Sequence, residues 1–325
     1  MATVIVDRAE TALTVEGGAL VVRGEGCSRR SIPLNLIDRL VLQGNVALNS
    51  GMLAALGEAG VAVVCLSARS SQRQALVLGG RHNEAAIRLG QYRWATDAQR
   101  RGVWCRAVLG AKVRRQQNNL KQWLERRGGD QAPVRRGVMA LAEGQATLAT
   151  AGDNIAVLMG IEGAAARAYF AGMAAILPDT LGFTGRNRRP PKDPVNACLS
   201  LSYTLLHAEA ALAAQGAGLD PLLGGLHRPA FGRESLASDL IEPLRPLADA
   251  WLLEQLRLRT LRPEDFEHTG QGCRLRKAGR ERFYQSFESW LPGKRRWLRR
   301  QSRLLARAFK TEASPDLAQW PEEEP

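Results

Sequence analysis

The 325-residue sequence predicts an α+β chain of two domains: a small N-terminal β-rich domain, a β-sandwich-like sheet with one helix, and a larger C-terminal all-α domain. Three observations predict it. Up to about Gly80, short apolar runs alternate with turn formers; from Glu84 onward strand signals nearly vanish and long Ala-, Leu-, Arg- and Gln-rich segments take over; and 325 residues suffice for two cores. Strands followed by helices point to separate domains. The boundary falls near Gly79 to Asn83, where GGRHN interrupts both patterns, giving domains over 1–80 and 81–310 and leaving 311–325 as a tail.

In chain order, TVIVD, TALTV, ALVVRG, LIDRLVLQG, VAVVCLS and ALVLGG read as strands. Asn49 to Gly60 breaks the rhythm with a capping residue, helical apolar spacing and a closing glycine, and reads as one inserted helix. Three loops divide the helical part: Gly128 to Pro133, Pro178 to Pro194 and Gly216 to Gly225. Ile155 to Leu177 is long and apolar, but Glu162 and Arg167 lie inside it and its Ala/Gly content is high, so a buried helix is expected rather than a membrane span. Phe283, Phe287 and Trp290 repeat at i, i+4, i+7, the spacing of one buried helix face. After Lys310 the chain turns acidic and proline-rich, a composition that favours disorder or docking.

The formal charge of +13 calls for a polyanionic partner, because nucleic acid rewards clustered Lys and Arg through counterion release. Residues 271–310 hold most of it, with 13 Lys or Arg against two Glu, and Arg295, Arg296, Arg299 and Arg300 are its densest part. A second basic segment, TGRNRRPPKDP, sets Arg186, Arg188, Arg189 and Lys192 among helix breakers, the composition of an exposed loop able to grip a phosphate backbone or simply to be solvated. The five cysteines are scattered, odd in number and without metal-ligand spacing, which argues against a disulfide framework or a zinc site and for a reducing cytoplasm. No signal-peptide pattern opens the chain, since Asp7, Arg8 and Glu10 interrupt its start.

The most informative stretch is Gly218 to Pro246, GLDPLLGGLHRPAFGRESLASDLIEPLRP. It puts His227 on a Gly/Pro-rich loop just before Asp239 and Glu242; an imidazole with carboxylates suits Mg²⁺ or Mn²⁺. Ser235 is a plausible N-cap for a helix from Leu236, which would set Asp239 and Glu242 at i, i+3 on one face, although Pro243 and Pro246 interrupt a plain helix. Upstream, Glu162 sits in LMGIEGAAARAYF, flanked by Gly160 and Gly163, where little bulk would let another element approach. An ionised carboxylate in so apolar a stretch is expected to face a cation or a cleft. Each residue has a plainer reading: a surface Glu paired with Arg167, an exposed His, a solvated acidic turn.

Taken in order, the pieces resemble the CRISPR-associated integrase/endonuclease of spacer acquisition, the Cas-one family: an apolar helix with a central Glu, then GLDPxxGxLH, then SLxxDLxExxRP. The resemblance is strongest over residues 150–250 and extends weakly through AKVRRQQNNL, Ala111 to Leu120. It implies Glu162, His227 and Glu242 as ligands of Mg²⁺ or Mn²⁺, with Asp239 as an acidic neighbour that can orient His227 or Arg245. It also implies supporting positions at Asn196 and Tyr203, though Asp193 serves equally as a helix N-cap and Tyr203 as a core residue. The expected function is metal-dependent phosphodiester transesterification, inserting spacer DNA into a CRISPR array, or hydrolysis when water replaces the 3′-hydroxyl. Expected partners are double-stranded or branched DNA, a second copy of the chain joined through the β domain, and the small ferredoxin-like Cas-two protein, with no membrane. A structure-selective nuclease on branched DNA or RNA, and a non-catalytic DNA-binding scaffold, are the alternatives.

Overall fold

The computed structural model describes residues 2–7, 11–24, 27–67, 73–77, 84–126, 131–187, 190–270 and 272–317. The chain divides into two compact units, Met1–His82 and Asn83–Pro325.

The first unit holds two sheets. Strands β1 (Ala2–Val6), β5 (Ile37–Gln43), β6 (Ala62–Leu66) and β7 (Arg73–Val77) form one in that order, parallel from β1 to β6 with β7 antiparallel at the edge. Strands β2 (Ala12–Glu16), β3 (Ala19–Gly24) and β4 (Cys27–Pro33) form an antiparallel second sheet. Helix α1 (Ser50–Glu58) connects β5 to β6, and its N-cap is Asn49, whose side chain accepts from the Met52 amide at 2.8 Å. Leu13 and Leu20, Leu40 and Leu42, and Met52 and Leu56 share one core drawn from both sheets and the helix. Strand β4, CSRRSIP, has no apolar run of its own, so periodicity did not mark it.

The second unit is a set of packed helices: α2 (Ala85–Thr96), α3 (Ala98–Arg126), α4 (Ala132–Thr150), α5 (Ile155–Ile176), α6 (Pro194–Gly216), α7 (Ser235–Ile241), α8 (Arg245–Arg257), α9 (Lys277–Trp290) and α10 (Pro292–Leu317). It also carries a hairpin of β8 (Phe266–Thr269) and β9 (Gly272–Leu275), so the unit is not purely helical. Phe283 and Phe287 are fully buried and meet Trp251 edge-on at 5.2 and 5.3 Å, which makes the aromatic stripe of α9 a core face.

Three expectations change. Helix α5 is not buried all round: Leu158, Ala165, Tyr169 and Met173 face inward, while Val157 and Met159 are exposed. Both α5 and α6 are long and apolar enough to cross a membrane by length and composition, and α6 is the more buried of the two. Gly160 and Gly163 do not admit a neighbouring element, since a Cβ at Gly160 meets nothing and one at Gly163 meets only Arg167 at 4.0 Å; close approaches to α5 come at Gly172, against Leu120 of α3, and at Ala168, whose carbonyl faces Gly137 of α4. Finally, α10 runs to Leu317, past the point where the tail was expected to begin; 318–325 lie outside the described residues.

Candidate active site

Helix α7 begins at Ser235, and Ser235 is not its cap: the Oγ donates to the Arg228 carbonyl at 3.3 Å, tying down the preceding loop. Pro243 cannot continue the helix, so α7 ends at Ile241, a 3₁₀ turn spans Glu242–Leu244, and α8 restarts at Arg245 with Pro246 in its first turn. The turn separates the roles of Asp239 and Glu242.

Asp239 is fully buried and saturated. It accepts the amides of Gly225, Leu226 and His227 at 2.8, 3.0 and 3.0 Å, and its Oδ1 lies 2.6 Å from His227 Nδ1. Burial raises its pKa and the contact with His227 opposes that rise. Asp239 therefore positions His227 and has no oxygen left to ligate an ion; the carboxylate on Nδ1 turns the lone pair of Nε2 outward. The arrangement requires glycine at 224, where a Cβ would stand 2.4 Å from Asp239 Oδ2 and 2.7 Å from the Ser235 backbone. Gln91 on α2 braces the same loop, donating to the Asp220 and Leu223 carbonyls at 2.8 and 2.9 Å.

Glu242 is buried beside cations. Lys112 Nζ lies 2.6 Å from its Oε2, Arg245 Nη1 3.0 Å from its Oε1, and His227 Nε2 3.7 Å from the same oxygen. Burial alone would raise its pKa, but Arg245 and Lys112 outweigh that and hold it at about 2. The Lys112 ammonium is also 2.6 Å from Glu162 Oε1. That oxygen is buried and accepts no hydrogen bond of proper geometry, only this ion pair. The structure thus brings Glu162, His227 and Glu242 to one place, with Lys112 between the two glutamates. Among the described residues no three His, Cys, Asp or Glu close a metal cage by themselves, because the ammonium stands between the carboxylates and Asp239 is spent on His227.

Helix α3 forms the floor. Lys112, Arg115 and Asn119 lie on one face at i, i+3, i+7; Lys112 meets Glu242, Arg115 donates to the Pro243 carbonyl at 2.5 Å and Asn119 to the Pro246 carbonyl at 2.7 Å. Sequence reasoning missed all three. The available signal was a Lys between Ala111 and Val113 with amide side chains on the following turns of the same helix.

Beside the floor lies a buried Asp249, to which Tyr203 donates at 2.5 Å. Burial pushes Asp249 up to about 6, and burial likewise raises Tyr203. The Arg186 and Arg245 guanidiniums stack on Tyr203 at 5.4 and 5.1 Å. Arg186 is accordingly no exposed loop residue. It donates to Asn196 Oδ1 at 2.7 Å and Ser200 Oγ at 3.1 Å, and Asn196 returns a bond to the Gly185 carbonyl at 2.8 Å. Asn196 clamps the loop, and Asp193 caps α6 by accepting its amide at 2.8 Å. Lys192 is exposed; Arg188 and Arg189 lie outside the described residues.

Arg295 also changes role. It is buried against Glu209, with Nε at 3.0 Å and Nη2 at 2.8 Å, and fastens α10 to α6, so it is not available to a phosphate backbone. Arg296, Arg299 and Arg300 remain exposed. Cys65, Cys105, Cys198 and Cys273 are free thiols.

The chain and its fold have counterparts. The family model for CRISPR associated protein Cas1 matches residues 4–289. A CRISPR-associated endonuclease Cas1 from Thermodesulfovibrio yellowstonii is 34% identical over 298 residues, covering 91% of this chain and 93% of its own. A Cas4 exonuclease/Cas1 endonuclease fusion from Rhodospirillum rubrum is 35% identical over 93% of this chain, which spans 54% of that longer protein. Among solved structures, a casposase bound to integration product superposes with a TM-score of 0.83 at 20% identity, over 96% of this chain and 91% of that one. A Cas6-RT-Cas1–Cas2 complex gives 0.81 at 21% identity, over 99% of this chain and 36% of that one. At these identities the two structures speak to the fold alone, while the family model and the full-length relative decide the lineage: the chain belongs to the Cas1 family of CRISPR-associated proteins.

Proposed function

We propose that this chain is a metal-dependent DNA integrase and endonuclease of CRISPR adaptation. The observation that carries it is that Glu162 and Glu242, from separate elements, meet at one buried ammonium, and that His227 Nε2 stands 3.7 Å from Glu242 Oε1. Two carboxylates and an imidazole whose other nitrogen is held by a carboxylate form a donor set suited to Mg²⁺ or Mn²⁺, and the under-bonded Glu162 Oε1 is an oxygen with capacity for a cation. Glu162, Glu242 and His227 Nε2 would hold the ion, which when bound neutralises charge on a scissile phosphate.

The residues themselves prepare that chemistry. Asp239 keeps the proton on His227 Nδ1 and leaves Nε2 as the donor atom. Lys112 and Arg245 keep Glu242 ionised at neutral pH, so its oxygens stay acceptors. In the reaction, a 3′-hydroxyl of a DNA fragment attacks a phosphodiester of repeat DNA, forming one P–O bond as the bond to the leaving 3′-oxygen breaks and that oxygen takes up a proton; water as nucleophile gives cleavage. The exposed Arg296, Arg299 and Arg300 serve the backbone without reading bases. The names of the relatives support endonuclease activity, the casposase supports integration, and the complex containing Cas2 supports a small Cas2 partner; a homodimer acting in the cytoplasm is part of the same proposal.

The double substitution His227→Ala, Glu242→Ala tests this. Joining of a labelled duplex to a repeat-bearing plasmid should disappear while duplex affinity stays within about threefold, because neither residue belongs to the basic surface that supplies backbone binding. Undiminished joining would overturn the assignment.

A further inference from the structure

The loop between His227 and α7 presents an aromatic ring with no protein around it. Phe231 is 109% exposed, the highest value among the exposed large hydrophobic residues described. Apolar side chains stabilise a fold through the area they remove from water, so a ring left wholly in water contributes no such burial to this chain. The backbone that carries it is nonetheless defined. The Arg233 amide donates to the Ala230 carbonyl at 3.0 Å, closing a turn with Phe231 and Gly232 at its centre, and Gly232 has φ of +70°, which lets the turn close without strain. Ser235 Oγ donates to the Arg228 carbonyl at 3.3 Å and the Leu236 amide to the Pro221 carbonyl at 2.9 Å, anchoring both ends of the loop to the start of α7.

The surroundings say what the ring meets. Arg228 and Arg233 flank it and are exposed, and no acidic residue lies from Arg228 to Arg233. Its exposed neighbours Pro229, Ala230 and Gly232 are too small to make the apolar centre of a protein interface. A lone aromatic between two guanidiniums, four residues after His227, matches the chemistry of a nucleobase: a flat apolar face beside phosphate charge.

We propose that Phe231 is a positioning residue that stacks on a base beside the scissile phosphate and holds the duplex locally open there, with Arg228 and Arg233 gripping the adjacent phosphates. The inference rests on the reading of this site as one that acts on DNA. It adds a residue that touches the target base without reading its identity, since every base offers a π face.

The test compares wild type, Phe231→Ala and Phe231→Trp on a labelled branched duplex, either fully paired or with one mismatch beside the branch. On paired DNA, Phe231→Ala should cut or join about tenfold more slowly, the defect should shrink to within about twofold on the mismatched substrate, and Phe231→Trp should stay near wild type. In EDTA, wild type should bind the mismatched duplex more tightly than the paired one, and Phe231→Ala should lose that preference. Equal rates for Phe231→Ala and wild type on paired DNA, or an equal defect on both substrates, would overturn the proposal. So would lost self-association or partner capture with unchanged behaviour on DNA. If wild type neither cuts nor joins, the functional reading falls, and the binding preference still decides the role of Phe231.

Discussion

At the residue scale, Lys112 is the centre of the site. Its ammonium compensates Glu162 and Glu242 together, so removing it leaves two carboxylates facing each other at a buried place. Breaking a buried ion pair costs about 3–5 kcal/mol, and Lys112→Met should lower Tm accordingly. Millimolar Mg²⁺ or Mn²⁺ should restore part of the loss and stabilise the variant more than wild type; a metal-independent Tm in Lys112→Met would mean that the carboxylates do not form a cation site. Asp249 offers a pH test whose sign follows from its raised pKa. Its contribution to stability is full below about 4 and is lost as pH rises through about 6. Asn cannot ionise, so between pH 4 and 7 the stability of Asp249→Asn should gain on wild type by about 2 kcal/mol, measured by denaturant unfolding across that range. Glu242 runs the other way: its stabilisation is present above 4.5 and is lost as pH falls toward 2. The sequence made His227 and Glu242 legible because their loop and prolines are distinctive. Lys112 was harder to read because, on an Arg-rich helix, its only local mark is the amide side chains on the turns that follow, and its role depends on chain segments 50 and 130 residues away.

At the scale of elements, the basic stretch of α10 divides into a structural and a solvent-facing part. Arg295 pairs with Glu209 inside the protein, while Arg296, Arg299 and Arg300 lie outside. Arg295→Gln should destabilise the fold by about 3 kcal/mol or more, because the buried Glu209 carboxylate loses the guanidinium beside it, yet should not change the salt dependence of DNA binding. Replacing the other three with Gln should leave Tm nearly unchanged and lower the slope of log affinity against log salt by up to about 0.9 per lost phosphate contact. A slope that follows Arg295 instead would reverse the division. Spacing alone could not separate them, because which Arg of a dense run faces inward is decided by the partner helix. The same limit explains the unmarked strands: β4 has Arg29 and Arg30 at its centre, and β8 and β9 have four residues each, too few for a period to emerge. Helices α1, α6 and α7, by contrast, were readable from Asn49, from Asp193 with Pro194, and from the prolines after Ile241.

For the whole molecule, composition announced a polyanionic partner, and order along the chain separated a β-rich unit from a helical one. The site lies wholly in the second unit, assembled from α3, α5, the 218–234 loop and the turn after α7. Such a site is visible in sequence as isolated acidic and imidazole residues and becomes a constellation only through packing. The function proposed for this constellation is metal-dependent strand joining. The most direct measurement incubates the purified protein, with and without its small partner, with a labelled duplex and a repeat-bearing supercoiled plasmid in Mg²⁺, Mn²⁺ or EDTA, beside His227→Ala. Covalent joining at the repeat that needs the metal and is lost in His227→Ala is the predicted result. Cutting without joining, or joining that survives in EDTA or in His227→Ala, would contradict the account.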